Sequence, residues 1–183
     1  MNEIEVKVLE VDRAAVESRL AALGAELLSD ELLSAAFFDF PDHRLAAAGK
    51  LLRLRREGDR NRLTFKRRIA DEGAKVREER EVAVGDFEAC RQVLIGLGLK
   101  ETKRVEKRRT SYRLGAATIA IDHHVGEHSF IPEFLEIEAE SVEEVRAVAD
   151  RLGFAPEALR PWGLPQVIQY YTRGDGARRA ARP

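Results

Sequence analysis

Ile4, Val6 and Val8 alternate with Glu3, Glu5 and Lys7 in the first nine residues, the period-two signature of a strand whose two faces meet unlike surroundings. The alternation returns at Arg77, Glu79 and Glu81, opposed in part by Val82 and Val84, and again at Glu136 and Glu138 against Leu135 and Ile137. Other strands carry bases on the polar parity. Arg53 and Arg55 alternate with Leu52 and Leu54, Thr64 and Lys66 oppose Leu63 and Phe65, and Lys107 and Arg109 share a parity. Asp122 ends a run in which Ile119 and Ile121 point away from it. Eight strands are predicted, at about 1–9, 33–40, 50–56, 62–69, 75–84, 103–114, 117–122 and 134–140. Turn chemistry separates them at Pro41-Asp42, Gly58-Asp59, Asp71-Glu72-Gly73, Gly115 and Gly126.

A second pattern has helical spacing. Val16, Leu20 and Leu23 form one apolar stripe, Phe87, Cys90, Leu94 and Leu97 another, and Val142, Val145, Val148 and Leu152 a third. Asp12, Asp86 and Ser141 precede these stripes as N-caps, and twelve residues after each stands Gly24, Gly98 or Gly153 as a left-handed C-cap. Ser141 and Glu144 have the spacing of a capping box. Each helix follows an acidic strand, which makes a degenerate internal repeat.

Three amphipathic helices cover the apolar face of a sheet from one side. The charged face collects Glu3, Glu5, Glu79, Glu81, Asp122, Glu136 and Glu138 with Lys7, Arg53, Arg55, Lys66, Arg77, Lys107 and Arg109, seven acids against seven bases. An open sheet facing water gives no reason to keep these to single parities, whereas a closed barrel concentrates them around a lumen. The predicted fold is therefore α+β: a closed eight-stranded antiparallel β-barrel with a charged interior, packed outside by amphipathic helices. Burying so many unpaired ions would cost several kcal/mol each, so the lumen is expected to hold water and a charged ligand.

Length and composition narrow the picture further. The chain has 183 residues, 44% hydrophobic and 34% charged, which suits one globular domain, read as 1–171 with an Arg-, Ala- and Gly-rich disordered tail at 172–183. A formal charge of −1 supplies no net field toward nucleic acid or a membrane, so neither is an expected partner. The single Cys90 excludes an internal disulfide and suits a cytoplasmic setting, and it reads as a helix core residue rather than a nucleophile. No signal peptide or spanning segment is evident. His123, His124 and His128 match no zinc spacing and read as exposed loop residues, Trp162 reads as packing a C-terminal segment, and an exposed apolar helix face leaves room for a homodimer.

Arginine forks and lysine point charges suit phosphate oxygens. Carboxylates on the same lumen would repel that anion, unless a hard divalent cation such as Mg2+ or Mn2+ sits between, held by carboxylate, water and phosphate oxygens. The charge pattern thus points to a metal-bound phosphate chain.

At Glu3-Ile4-Glu5-Val6-Lys7 the chain resembles the ExExK signature of the CYTH family, the triphosphate tunnel metalloenzymes. The ordered set that follows is more specific: Leu52-Arg53-Leu54-Arg55, Leu63-Thr64-Phe65-Lys66, Arg77-Glu78-Glu79-Arg80-Glu81, Glu106-Lys107-Arg108-Arg109, Ile119-Ala120-Ile121-Asp122 and Phe134-Leu135-Glu136-Ile137-Glu138. The resemblance covers about residues 1–171, and Phe37-Phe38-Asp39 with Pro41 is similar to a segment of members like the class IV adenylyl cyclases. It implies an eight-stranded tunnel that binds triphosphates with Mg2+ or Mn2+. Glu3, Glu5, Glu136 and Glu138 would hold a metal, with Glu79, Glu81 and Asp122 supporting it or a second ion. Lys7, Arg53, Arg55, Lys66, Arg77, Lys107 and Arg109 would grip the phosphates. Some hydrolytic members pair a tunnel lysine, here matching Lys107, with a tyrosine that activates water, yet no tyrosine precedes Tyr112. A metal-bound hydroxide or a carboxylate such as Glu79 would then be the base. The implied activity is a triphosphatase acting on tripolyphosphate, thiamine triphosphate or a nucleoside triphosphate; the alternatives are an adenylyl cyclase making cyclic AMP and pyrophosphate, and a non-catalytic polyphosphate-binding module.

Overall fold

The Asp12 carboxylate accepts the Ala15 amide at 3.1 Å, Asp86 accepts Ala89 at 2.8 Å, and the Ser141 hydroxyl accepts Glu144 at 3.1 Å. These caps open α1 (Arg13–Ala22), α3 (Phe87–Gly96) and α4 (Val142–Arg151). All three close alike: the residue after the glycine donates back into the last turn, Ala25 to Leu20, Leu99 to Leu94 and Phe154 to Ala149, with Gly24, Gly98 and Gly153 at positive φ. The predicted caps are thus the observed ones. The computed structural model describes residues 2–70 and 75–173, the side chains of residues 2, 3, 70 and 75–77 excepted, so the expected turn at Asp71-Glu72-Gly73 lies outside the described residues.

The described strands are β1 (Asn2–Leu9), β2 (Glu26–Asp39), β3 (Lys50–Glu57), β4 (Arg60–Ala70), β5 (Lys75–Val84), β6 (Lys100–Leu114), β7 (Ala117–Val125) and β8 (Phe134–Ala139). All neighbours are antiparallel, in the order β1-β5-β4-β3-β2-β6-β7-β8, with β8 paired back to β1. The return is narrow. Only Asn2 to Glu5 register against β5, opposite Glu78 to Lys75. Beyond Glu5 the outer edge of β1 turns to Arg160, which exchanges backbone hydrogen bonds of 2.8 Å with Lys7, while β5 runs on past the start of β1. The expected full closure is corrected to this extent: the sheet curls into a barrel that stays open along most of its β1/β5 line.

Two further helices were absent from the sequence expectation, α2 (Arg44–Ala47) and α5 (Leu164–Arg173). Helix α5 continues through Thr172 and Arg173, so the segment read as tail begins inside a helix, and residues 174–183 lie outside the described residues. Strand β2 begins at Glu26 rather than Leu33, directly after the Gly24 cap, because its first half pairs with β6 while Leu27 and Leu32 stay exposed. Polar-apolar alternation marks burial, and a strand segment with apolar residues in solvent hides from it.

The apolar faces pack outward as intended by their parity. Ile4, Val6, Ile119, Ile121, Leu135 and Ile137 meet Val16 and Leu20 of α1 and Val145 and Val148 of α4. Leu54 and Ala36 meet Phe87 and Leu94 of α3, with Cys90 packed beside them, its thiol pushed up by burial. Phe134 instead shares the inward parity of Glu136, and with Ile131 it meets Val167 and Tyr171 of α5, with Trp162 against the same cluster. This wrapping leaves the polar parity nowhere to go but inward. Leu20 has no solvent exposure, so Leu20→Ala is expected to lower the urea unfolding free energy by about 2–5 kcal/mol while leaving the lumen charges in place; a loss below about 1 kcal/mol would mean that α1 contributes little to covering the sheet.

Candidate functional site

Cross-strand register places the inward charges. Lys7 lies opposite Glu136, Lys66 opposite Glu79, Thr64 opposite Glu81, Arg109 opposite Asp122 and Glu5 opposite Glu138. Directly opposed side chains on one face of an antiparallel pair stand close enough to interact; the Lys7, Lys66 and Arg109 pairs are ion pairs, Thr64 meets Glu81 through its hydroxyl, and Glu5 faces a second acid. The Lys7 ammonium sits 2.6 Å from Glu136 and 3.1 Å from Glu5. Lys66 reaches Glu79 at 2.7 Å. Asp122 takes Arg109 in a fork, Nε to Oδ1 at 2.7 Å and Nη2 to Oδ2 at 2.6 Å, and Lys107 donates to Oδ2 at 2.5 Å. Arg109 also bonds Glu136. Glu81 accepts Thr64 at 2.9 Å and Arg62 at 2.6 Å, with Arg55 at 3.5 Å.

These groups line a cavity of about 1060 Å³ that also exposes Glu138, Arg53 and Lys103. Burial is deep: Asp122 has no solvent exposure, and Lys7, Glu5 and Lys66 keep 3%, 7% and 8%. Of the residues expected around the lumen, Glu5, Lys7, Arg53, Arg55, Lys66, Glu79, Glu81, Lys107, Arg109, Glu136 and Glu138 line this one cavity, and Asp122 stands behind Lys107 and Arg109. The side chains of Glu3 and Arg77 lie outside the described residues. Acids and bases meet as direct partners along the β1/β8, β4/β5 and β6/β7 ladders, while Glu5 faces Glu138.

One arginine breaks the pairing, and a second, Arg55, is only partly engaged, by Glu57 at 3.4 Å and Glu81 at 3.5 Å. Arg53 has no ion-pair partner among the described residues, and the Nε–H groups of Arg53 and Arg55 are both buried with no acceptor. Burial, then the neighbouring Arg53 charge, brings Arg55 down to about 10. Buried unsatisfied donors on adjacent cations call for an anion with several acceptors.

Titration follows the same crowding. Burial and then the adjacent Arg109 charge bring Lys107 down to about 8, against the opposing pull of Asp122 and Glu136. For Asp122 and Glu136, burial pushes upward but is outweighed by Arg109 and its neighbouring lysines, so both stay below the usual carboxylate range. Burial and Lys107 hold His124 down to about 4, neutral at pH 7.

The histidine expectation needs correction. His123 is exposed and lies 3.4 Å from Glu133, but His124 is 1% exposed on β7 and lines the cavity, and His128 is buried in the turn that follows. The strand continues three residues beyond the expected Asp122, which turns His124 inward with Asp122's parity; that parity was the available signal. Sequence reasoning also missed Leu164, Pro165, Gln166 and Gln169, which bring α5 and its approach against the cavity. The apolar spacing of Leu164, Val167, Ile168 and Tyr171 was their signal.

Among the described residues no three His, Cys, Asp or Glu side chains form a ready-made metal-binding group. The donor chemistry nonetheless fits a hard cation. Glu5 and Glu136 converge on the Lys7 ammonium from two strands, so one positive centre already bridges carboxylates of different strands. Mg2+ is ordinarily held by one or two carboxylates with water and substrate phosphate rather than by an all-protein cage.

Residues 1–158 match the CYTH domain family, and the chain belongs to that family, whose members are triphosphatases or adenylate cyclases and are typically metal-dependent. A Methanocaldococcus jannaschii protein provisionally named an adenylate cyclase is 31% identical over 138 residues, covering 75% of this chain and 77% of that protein. Adenylate cyclase CyaB of Aeromonas hydrophila is 27% identical over 163 residues, covering 86% of this chain and 83% of its own. The solved structure of a Pyrococcus horikoshii protein matches with a TM-score of 0.75 and 27% identity, covering 90% of this chain and 98% of that one. No helix among the described residues is long and apolar enough to cross a membrane.

The depressed Lys107 has a checkable sign. Its folded pKa of about 8 lies below the ordinary lysine value of about 10.4, so the unfolded chain binds this proton more tightly. The group's contribution to stability therefore grows as pH rises from about 8 toward 10.4. Carbon NMR of the lysine methylenes is expected to find Lys107 titrating near pH 8 and to find it lower still in Asp122→Asn, which removes an attractive charge. An ordinary lysine value in the wild type would contradict the enclosed lumen.

Proposed function

We propose that this chain is a divalent-metal-dependent enzyme that draws the phosphate chain of an organic triphosphate into its lumen and cleaves it by water. The buried Nε–H groups of Arg53 and Arg55, unsatisfied among the described residues, carry this reading: the lumen offers donors to an anion that no described residue supplies. Lys7, Lys66, Lys107 and Arg109 share the cavity with them, so several phosphate groups can be gripped at once. Phe37, Leu51, Leu52 and Leu164 line the same cavity and give an organic substituent an apolar surface, which favours a nucleoside or thiamine triphosphate over inorganic tripolyphosphate as the natural ligand.

In this reading Glu3, Glu5, Glu136 and Glu138 hold Mg2+ or Mn2+, with Glu81 in support. The bound cation would neutralise phosphate charge and polarise the phosphorus under attack. Asp122, with both oxygens engaged by Arg109 and Lys107, positions those two cations more than it serves the metal. Arg77 joins the phosphate-binding set by its place in the CYTH pattern. Lys107 stabilises charge on the transferred group, and Glu79, held by Lys66, is the carboxylate available to accept a proton from water.

A second reading has its own support. The Methanocaldococcus and Aeromonas relatives are both named as adenylate cyclases. If the ribose 3′-hydroxyl replaces water as nucleophile and attacks the α phosphorus, the same lumen makes cyclic AMP and pyrophosphate from ATP.

Purified protein with Mg2+ or Mn2+ is expected to release phosphate from ATP or thiamine triphosphate, and product analysis separates hydrolysis from cyclisation. Glu5→Gln is expected to lower kcat by about 100-fold or more, and Arg53→Ala to weaken substrate binding about tenfold, both with unchanged far-UV circular dichroism. Tight binding with no turnover of any of these substrates would leave only a polyphosphate-binding module.

A further inference from the structure

His124 stands directly across the β6/β7 ladder from Lys107 and lines the cavity. Its ring packs on Phe134, centroids 5.6 Å apart at 27°, and lies 6.1 Å from the ring of His128. The residue is 1% exposed, yet neither Nδ1 nor Nε2 has a hydrogen-bond partner among the described residues. A neutral imidazole carries one N–H donor and one acceptor, and buried polar groups left with no partner are rare in folded proteins. Stacking on Phe134 fixes the ring plane and would be served equally well by a phenyl ring, so packing alone does not account for a histidine here. Lys107, Asp122, Glu136 and His128 are the charged or titratable groups around it, and none of them bonds to it.

We infer that His124 contacts the ligand itself, donating its ring N–H to a phosphate oxygen of the group that Lys107 grips. The inference rests on the triphosphate reading of the lumen and adds to it a directional donor among the lysines and arginines. The ring is held in one plane by Phe134, so its contact discriminates by direction. A lysine ammonium attracts the anion from any bearing, whereas an imidazole N–H held flat against Phe134 rewards a phosphate oxygen only along one line. His124 would therefore set the register in which the phosphate chain lies along the cations.

The distinguishing property is rescue by a second directional donor. Calorimetric titration of the full chain with the Mg2+ complexes of tripolyphosphate and of ATP is expected to show His124→Phe binding about tenfold more weakly than wild type. His124→Gln, which restores an N–H, is expected to recover most of the loss. Nitrogen NMR of the wild-type histidine rings should show the His124 signals moving when tripolyphosphate is added, a readout that needs no variant to fold. Unchanged His124 signals together with wild-type affinity in His124→Phe would overturn the inference and leave the triphosphate reading standing. Failure of wild-type protein to bind either tripolyphosphate or ATP would overturn both.

Discussion

Asp122 joins Arg109 and Lys107 from a position that water does not reach, and the arrangement of the lumen depends on that carboxylate. Burying a carboxylate costs several kcal/mol, which its cation partners only partly or barely offset. The asymmetry of that balance matters more than its mean. Removing Asp122 would strand two buried cations, at a cost of about 3–5 kcal/mol. Arg109 extends the connection to Glu136, and Glu136 to Lys7 and so to Glu5, which makes one continuous chain of charge across β6, β7, β8 and β1. Such a chain is weak as a source of stability. It is effective at holding donors in fixed directions before any ligand arrives.

The fold makes this tolerable by arranging its layers around it. The acidic strands β8, β1 and β5 are neighbours, and the base-bearing β4, β3 and β6 lie further round with β2 among them. Apolar parity on the outer face is covered by α1 and α4 on one flank and α3 on another. Strands under those helices thereby keep their charges inward, whereas the uncovered outer faces of β5 and β6 carry exposed charges such as Arg80 and Arg108. The thin β1/β5 contact has a different logic: Arg160 takes over the edge of β1 beyond its described pairing with β5, so the backbone groups of Lys7 stay satisfied at the residue whose ammonium bridges Glu5 and Glu136.

How much of this could be read from the chain alone depends on what each feature repeats. Period-two parity is imposed by backbone geometry, so Glu5, Lys66, Arg109 and Glu136 could be assigned to one face with no knowledge of their partners. Caps are local, and Asp12, Asp86 and Ser141 were legible for that reason. Partner choice is not local. That Lys7 meets Glu136 or Lys66 meets Glu79 depends on strand order and register, which periodicity along the chain does not record. His124 was hidden by its neighbours: with His123 beside it and His128 just beyond, it read as part of a polar loop, although it occupies the parity of Asp122. The first half of β2 was hidden for the opposite reason, since its Leu27 and Leu32 face solvent and break the rule that alternation records burial.

Charge counting explains why an anion alone would sit poorly in this lumen. Eight basic side chains among the described residues line the cavity, Lys7, Lys50, Arg53, Arg55, Lys66, Lys103, Lys107 and Arg109, against the acids Glu5, Asp39, Glu79, Glu81, Glu136 and Glu138. Asp122 behind them offsets part of the small basic surplus. A triphosphate carries more negative charge than that surplus neutralises, so to enter bare it would have to pull Lys7, Lys66 or Arg109 from their carboxylates and leave those acids buried and unpaired, the costly outcome of breaking a buried pair. A triphosphate that arrives with its own divalent cations avoids this exchange, because the released carboxylates find positive partners at the moment they lose the lysines. Near-neutrality of the protein lumen and metal dependence of the family are then two statements of one electrostatic requirement, and in the proposed reading Arg53, which has no carboxylate partner among the described residues, would be the cation best placed to meet the phosphate first.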